Sequence, residues 1–427
     1  MNHCNVLALP TEITAEIFVE CLALFEPLCL PPSLQSAPTA LSCVCSQWRA
    51  IALSTSALWS QLTMECGKFA PKIISEADLV ENTVDTWLKR AGPRPISLAV
   101  EYSSEGPEIY PFSRLRGIIH CWSHQIQHLR LNLGESRYVD ILELEKPSFP
   151  LLRTVALGCA QRRRGFTPPV KPVLFDKAPN LTYLRFLDGG VTPTLFALPW
   201  SQLTECEGAL WDSQLFSLAP ALIKLTCSLH AGMDYPSDFI VHHELRSLNL
   251  YIHEPVLHIV ILPFLTLPEL RHLDISAVDG YLYRPLGPFL IRSSPPLQSL
   301  TLMGNEFCLA LWPQFIVSIA NTLEYLEIVE SDGEASRFLS PDLFSPLTRI
   351  QSLTFRDVSI LSVMQLELMV DFLDALANKP RIFKMSWKVP ALLYGTMDFG
   401  AVGDDLARLR AGMDIQLSRC EETVTPM

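Results

Sequence analysis

The side chains best equipped for chemistry in this sequence gather at His120, Cys121, His124 and His128. On a helix, His120 and His124 share a face and could hold zinc through neutral imidazole nitrogens. His128, however, opens an apolar strand phrase running from Ile126 to Leu131, so the helix ends before it and the third ligand is lost. The segment His253-Glu254-Pro255-Val256-Leu257-His258 places two histidines around a glutamate, the parts of a metal-assisted hydrolase. Its histidines are one residue too far apart to share a helical face, and Pro255 spoils the helix. Cys43-x-Cys45 has no second pair and reads as two core residues. There is no glycine-rich phosphate loop and no Gly-x-Ser-x-Gly nucleophile turn. The sequence predicts no catalytic residue, no metal site and no cofactor, and the chain is not read as an enzyme.

Charge narrows the class further. The 427 residues carry a net charge of −12, which argues against a nucleic-acid partner. With 18% charged and 49% hydrophobic residues the chain is not mainly disordered. The basic run Arg162-Arg163-Arg164, beside Gly165 and Pro168-Pro169, reads as a solvated loop. The longest apolar stretch, Val256 to Leu267, contains Pro263 and is too short to span a bilayer, so no membrane partner is expected. Met1 to Leu9 lacks a basic flank, and Pro10 and Glu12 interrupt the apolar run, so no secretion signal is read there. The 12 cysteines lack the spacing of a disulfide scaffold and are expected as reduced, mostly buried thiols. The compartment expected from these features is cytoplasm, nucleus or both.

The elements that must position any functional residue begin with a helical segment. Pro10 suits the first turn of a helix and Glu12 favours its dipole. Ile13, Ile17, Phe18, Cys21 and Leu22 then fall at helical spacing as one apolar stripe. Pro27, Pro31 and Pro32 end that helix. A second helix after Pro38 carries Leu41, Val44, Trp48 and Ile51, and a short third turn carries Leu58 and Trp59. Two or three helices in so short a segment cannot cover this apolar surface among themselves. Either the rest of the chain or another protein must cover it.

Leu7-Ala8-Leu9-Pro10-Thr11-Glu12-Ile13, succeeded by Val44-Cys45-x-x-Trp48-Arg49 and Leu58-Trp59, resembles an F-box. The resemblance implies docking onto a Skp-type adaptor of a cullin ubiquitin ligase. It implies adaptor contacts at Leu9, Pro10, Ile13, Ile17, Leu22, Val44 and Trp48, with Trp59 pinning the module to the next domain of the chain. The sequence departs from the family pattern in an inserted loop from Glu26 to Ser36, as in large fungal F-box families. It departs again at Pro38-Thr39-Ala40-Leu41, where a leucine-rich stretch is usual.

Beyond this module a phrase of the form apolar-x-x-apolar-x-apolar recurs eleven times. It runs from Ile126-x-x-Leu129-x-Leu131 through Leu152, Leu181, Leu203, Leu222, Leu245, Leu270, Leu297, Leu323 and Ile350 to Ile382-x-x-Met385-x-Trp387. Successive phrases start between 19 residues apart (Leu203 to Leu222) and 32 apart (Ile350 to Ile382). Each phrase predicts a short strand that cannot bury its apolar face alone, so neighbours stack with parallel pairing. Stretches such as Val84 to Leu88 and Leu309 to Ala320 are expected on the opposite, helical side. The array is similar to degenerate leucine-rich repeats, and only Leu297 to Asn305 carries the asparagine of the strongest motif. An ordinary α/β domain with parallel strands is the alternative.

The fold expected is thus α/β. It comprises an F-box-like helical module at 1–66, a linker at 67–83, an irregular leucine-rich-repeat solenoid with a parallel sheet at 84–400, and a cap or tail at 401–427, with a helix near Leu406 to Arg410. Residues flanking the buried pair of each phrase face outward and are the candidates for holding a target protein. They include Tyr183, Arg185, Glu205, Glu207, Tyr251, His272, Asp274, Tyr325, Glu327 and Arg356, with Asn249, Thr354, Lys384 and Lys388 beside them. The function implied is a non-catalytic substrate receptor in protein ubiquitination, which binds adaptor and cullin at one end and a target of unknown identity at the other. The alternative is an interaction scaffold with no role in ubiquitin transfer.

Overall fold

Each of the eleven phrases runs into or lies on a parallel strand. The computed structural model describes residues 9–22, 29–30, 37–65, 77–101, 112–133, 147–159, 174–187, 197–234, 238–252, 261–277, 285–304, 312–330, 340–359, 363–376, 380–388 and 414–419. The architecture is mixed α/β, and the chain divides into two compact units, 1–209 and 210–427. Among the described residues no helix is long and apolar enough to cross a membrane.

The first unit opens with helices α1 (Thr11–Cys21), α2 (Ala37–Val44) and α3 (Ser46–Ser54), which pack together. A 3-10 turn at Ser56–Trp59 leads into the sheet. Its strands run in chain order: β1 (Cys29–Leu30), β2 (Gln61–Glu65), β3 (Ile96–Glu101), β4 (Ile126–Leu133), β5 (Thr154–Cys159), β6 (Tyr183–Phe186) and β7 (Glu205–Asp212). Every pairing is parallel. Helices α4 (Ala77–Arg90) and α5 (Phe112–Trp122) supply the crossovers that parallel neighbours require.

The second unit carries β8 (Lys224–Asp234), β10 (Ser247–Ile252), β12 (His272–Ala277), β13 (Ser299–Gly304), β14 (Tyr325–Glu330), β15 (Ser352–Ser359), β16 (Ile382–Lys388) and β17 (Asp414–Arg419), again all parallel. A separate parallel pair joins β9 (Ile240–Val241) to β11 (Leu265–Thr266). The helical side includes α6 (Leu215–Leu218), α7 (Leu286–Ser293), α8 (Trp312–Ile319), α9 (Pro341–Phe344) and α10 (Val363–Ala375).

In-register stacking explains why the phrase repeats. Leu225, Leu248, Leu273, Leu300, Leu326, Leu353, Phe383 and Ile415 occupy equivalent positions on successive strands of the second unit, and all are buried. Each such side chain contributes about 1.5–3 kcal/mol by leaving water. The leading leucines of the phrases, among them Leu245, Leu270, Leu297 and Leu323, are fully buried just before their strands. Between leading leucine and strand, one carbonyl accepts two N–H groups from the next repeat. Arg246 O accepts from the amides of Arg271 (2.8 Å) and His272 (2.9 Å), and Arg271 O accepts from those of Gln298 (2.8 Å) and Ser299 (3.0 Å). Slipping one repeat by a residue would break this double contact and turn the leucines outward.

Several expectations need correction. The predicted second helix is two helices, because Cys45 is extended and its Sγ accepts the amide hydrogen of Trp48 at 3.4 Å. Cys43 is exposed and Cys45 half-buried, so neither is a fully buried core residue. Cys206 and Cys227 are buried and Cys121 is exposed, and burial pushes the Cys206 thiol up to about 12. Pro10 precedes α1 as its cap, and its carbonyl accepts from the Thr14 amide at 3.0 Å. The last phrase is framed two residues late. Phe383 and Met385 point inward, and Ile382 pairs with the outward-facing Ser352. The sheet begins inside 1–66, since β1 lies in the Glu26–Ser36 insertion and pairs with Thr63 and Met64 of β2. It also extends past 400 into β17. Arg162 to Arg164, His253 to His258, Asn305 and Leu406 to Arg410 lie outside the described residues.

Candidate functional site

Two surfaces hold the residues singled out by sequence. The first is the three-helix module, whose interior is built by Phe18 of α1 and Trp48 of α3. Their rings meet edge to face with centroids 4.9 Å apart. Thr14 is buried on the same side of α1, and its hydroxyl donates to Pro10 O at 3.1 Å. One position round the helix, Ile13 and Ile17 are turned out, 50% and 43% exposed. Val44, at the end of α2, is 60% exposed. Leu9 and Leu22 are half-buried and Pro10 is exposed. Of the seven predicted contact residues, Trp48 is therefore chiefly an internal packing residue, whereas Ile13, Ile17 and Val44 face solvent.

The rear of the module is tied down. Trp59 is buried, its Nε1 donates to Ala52 O at 2.8 Å, and its ring meets Trp87 of α4 edge on at 4.5 Å. The Arg90 guanidinium lies 4.5 Å over the Trp59 ring. The predicted pinning role of Trp59 is thus seen in its contacts.

The second surface is the outward face of the sheets. In the first unit, register aligns His128, Thr154, Tyr183 and Glu205 in one row and Arg130, Ala156, Arg185 and Glu207 in the next. Charges on this face pair across strands. Tyr183 donates to Glu207 Oε2 at 2.6 Å, and Arg185 Nε sits 3.2 Å from Glu207 Oε1. Arg130 pairs with Glu101, which also accepts from Asn132 at 3.2 Å. Burial, reinforced by the Glu207 hydrogen bond and charge, pushes the Tyr183 phenol up to about 12. His128 shares a 2.7 Å hydrogen bond with Thr154, and burial together with Arg153 lowers its pKa.

In the second unit, Asn249, Asp274, Thr301, Glu327, Thr354 and Lys384 form one outward row. Glu327 pairs with Arg356. Burial raises the Asp274 carboxyl above its ordinary value, and the Glu327 charge adds to this while Arg356 opposes it. Tyr325 is 46% exposed, Met303 on β13 is exposed, His272 is exposed and Tyr251 is half-buried. Met303 was missed by sequence reading, although its place two residues beyond Thr301 in the phrase marks it as outward. The side chain of Lys388 lies outside the described residues.

His120, Cys121 and His124 are exposed at the end of α5 and in the adjoining turn, and His128 sits on β4. Among the described residues no group of three or more His, Cys, Asp or Glu is placed to hold a metal ion. The sequence matches no protein-family profile, and comparison with curated proteins finds no relative.

Proposed function

We propose that this chain is the substrate-recognition subunit of an SCF-type cullin ubiquitin ligase. The F-box-like module takes the Skp-type adaptor, and the leucine-rich-repeat-like sheet holds a target protein. The observation that carries this reading is the exposure of Ile13, Ile17 and Val44 on helices that bury Phe18 and Leu41. Large aliphatic side chains turned to water on a packed module favour a partner that covers them. The chain contributes proximity, since tethering a target beside a charged conjugating enzyme raises the effective concentration of its lysines. Such work belongs in the cytoplasm or nucleus.

The test is co-expression of the full chain with a Skp-type adaptor and cullin, and then purification through a tag on the adaptor. A stable ternary assembly is the expected result. Failure of a folded chain to bind the adaptor overturns the reading, and an adaptor complex that never recruits cullin replaces it with a scaffold role.

A further inference from the structure

Outward carboxylates on both sheets take an arginine from a neighbouring strand. Glu101 takes Arg130, Glu207 takes Arg185 and Glu327 takes Arg356. Asp274 of β12 breaks this pattern. Its register partners are Asn249 of β10 and Thr301 of β13, and both flanking strands are described along the whole pairing. Among the described residues no hydrogen bond or ion pair reaches its carboxylate. The side chain is nonetheless half-buried, so the face carries a partly desolvated charge without the donor that would offset it.

The surroundings leave room for a long side chain. Register places Ser299 and Thr301 of β13 between His272 and Asp274 on one side and Tyr325 and Glu327 on the other. Both side chains on β13 are short, and the strands that carry Asp274 and Glu327 lie about 10 Å apart across them. Met303 stands two residues beyond Thr301 on the same face. Tyr325 is 46% exposed and Met303 37%, so an aromatic ring and a thioether are open to a partner. The charge of Glu327 adds to that of Asp274, while Arg356, which meets Glu327 from β15, offsets part of it. The unmatched charge is negative, and a cation complements it.

We propose that this part of the face binds a segment of the target protein in which an arginine or lysine stands beside a large apolar residue. The basic side chain lies over Thr301 with its charge on Asp274, and the apolar one packs on Tyr325 and Met303. The epitope belongs to the target-holding surface proposed above and rests on that reading, although the contact itself needs neither adaptor nor cullin.

Phage-displayed random heptapeptides, selected on the immobilised full chain, test this. Arginine or lysine beside leucine, phenylalanine or tyrosine should be enriched over the starting library, and selection on Asp274→Asn should lose the basic residue. Fluorescence anisotropy of the most enriched peptide should show roughly tenfold weaker binding to Asp274→Asn, and a similar loss when the peptide's basic residue becomes glutamine. Both changes together should cost no more than either alone, because they remove the same contact. Asp274→Asn removes an unpaired charge, so circular dichroism should show it folded. The proposal is overturned by absent enrichment, by selection without a basic residue, by selection unchanged on Asp274→Asn, or by losses that add. Any of these leaves adaptor co-purification standing as the test of the ligase reading. Failed adaptor binding beside an Asp274-dependent peptide would remove the ligase and keep the epitope.

Discussion

Trp59 and Trp87 meet edge to face with ring centroids 4.5 Å apart, and through this contact the helical module and the first α-to-β crossover share one core. Trp59 has two roles at once. It ends the 3-10 turn of the module, and it is also the leading apolar residue of an unrecognised phrase, Trp59-x-x-Leu62-x-Met64, whose last two members are buried in β2.

Truncating it should therefore loosen both elements. Trp59→Ala removes a buried ring, its hydrogen bond to Ala52 O and the seat of Arg90, at a cost of about 3–5 kcal/mol. Urea unfolding monitored by circular dichroism measures this. A loss no larger than that of an exposed substitution would contradict the shared core.

The two sides of α1 should respond oppositely. Ile13→Asp and Ile17→Asp change exposed positions and should shift stability by only about 0.5 kcal/mol, yet abolish adaptor co-purification. Phe18→Ala, which empties the site against Trp48, should cost about 3–5 kcal/mol. Measuring unfolding and adaptor capture on the same preparations separates docking from folding. Retained capture in Ile13→Asp and Ile17→Asp would remove the docking face.

Most strands could be read from sequence because the phrase needs only apolar residues at fixed spacing, and parallel register preserves that spacing. β3 escaped because Pro95, which is exposed, stands where the leading apolar residue belongs. β1 escaped because two residues carry no period. The module was harder. Periodicity put Ile13, Ile17 and Phe18 on one stripe, but which edge of the stripe faces inward depends on Trp48, brought there by the break at Cys45. The outward rows were legible, whereas the ion pairs across them depend on inter-strand register, which the variable phrase spacing conceals.

Two glycines should give effects of opposite sign. Gly208 in β7 has φ of 133°, and a Cβ there would lie 2.4 Å from Phe186 O. Gly208→Ala should destabilise by about 1–3 kcal/mol from backbone strain alone, with the steric contact adding to it. Gly117 lies within α5 with nothing near its Cβ position, so Gly117→Ala should stabilise by about 0.5–1 kcal/mol. Thermal unfolding of the two variants checks both signs.

Asp274 should make the protein less stable as pH rises, the reverse of an ion-paired carboxylate. Its folded pKa is raised by burial and by Glu327 above the ordinary value of 3.8. Between that value and the raised one, the folded state holds more protons than the unfolded state, so stability falls with rising pH across the window. At neutral pH the full penalty is present, because the carboxylate is charged in both states but desolvated only in the folded one. Asp274→Asn removes the charge and keeps the shape, so its unfolding temperature should exceed that of the parent at neutral pH. The difference should shrink as pH falls through the window and vanish below the ordinary carboxylate range, where Asp274 is protonated in both states. Thermal unfolding of parent and variant across acid to neutral pH gives the comparison. A constant difference at all pH values would assign the effect to packing and not to the buried charge.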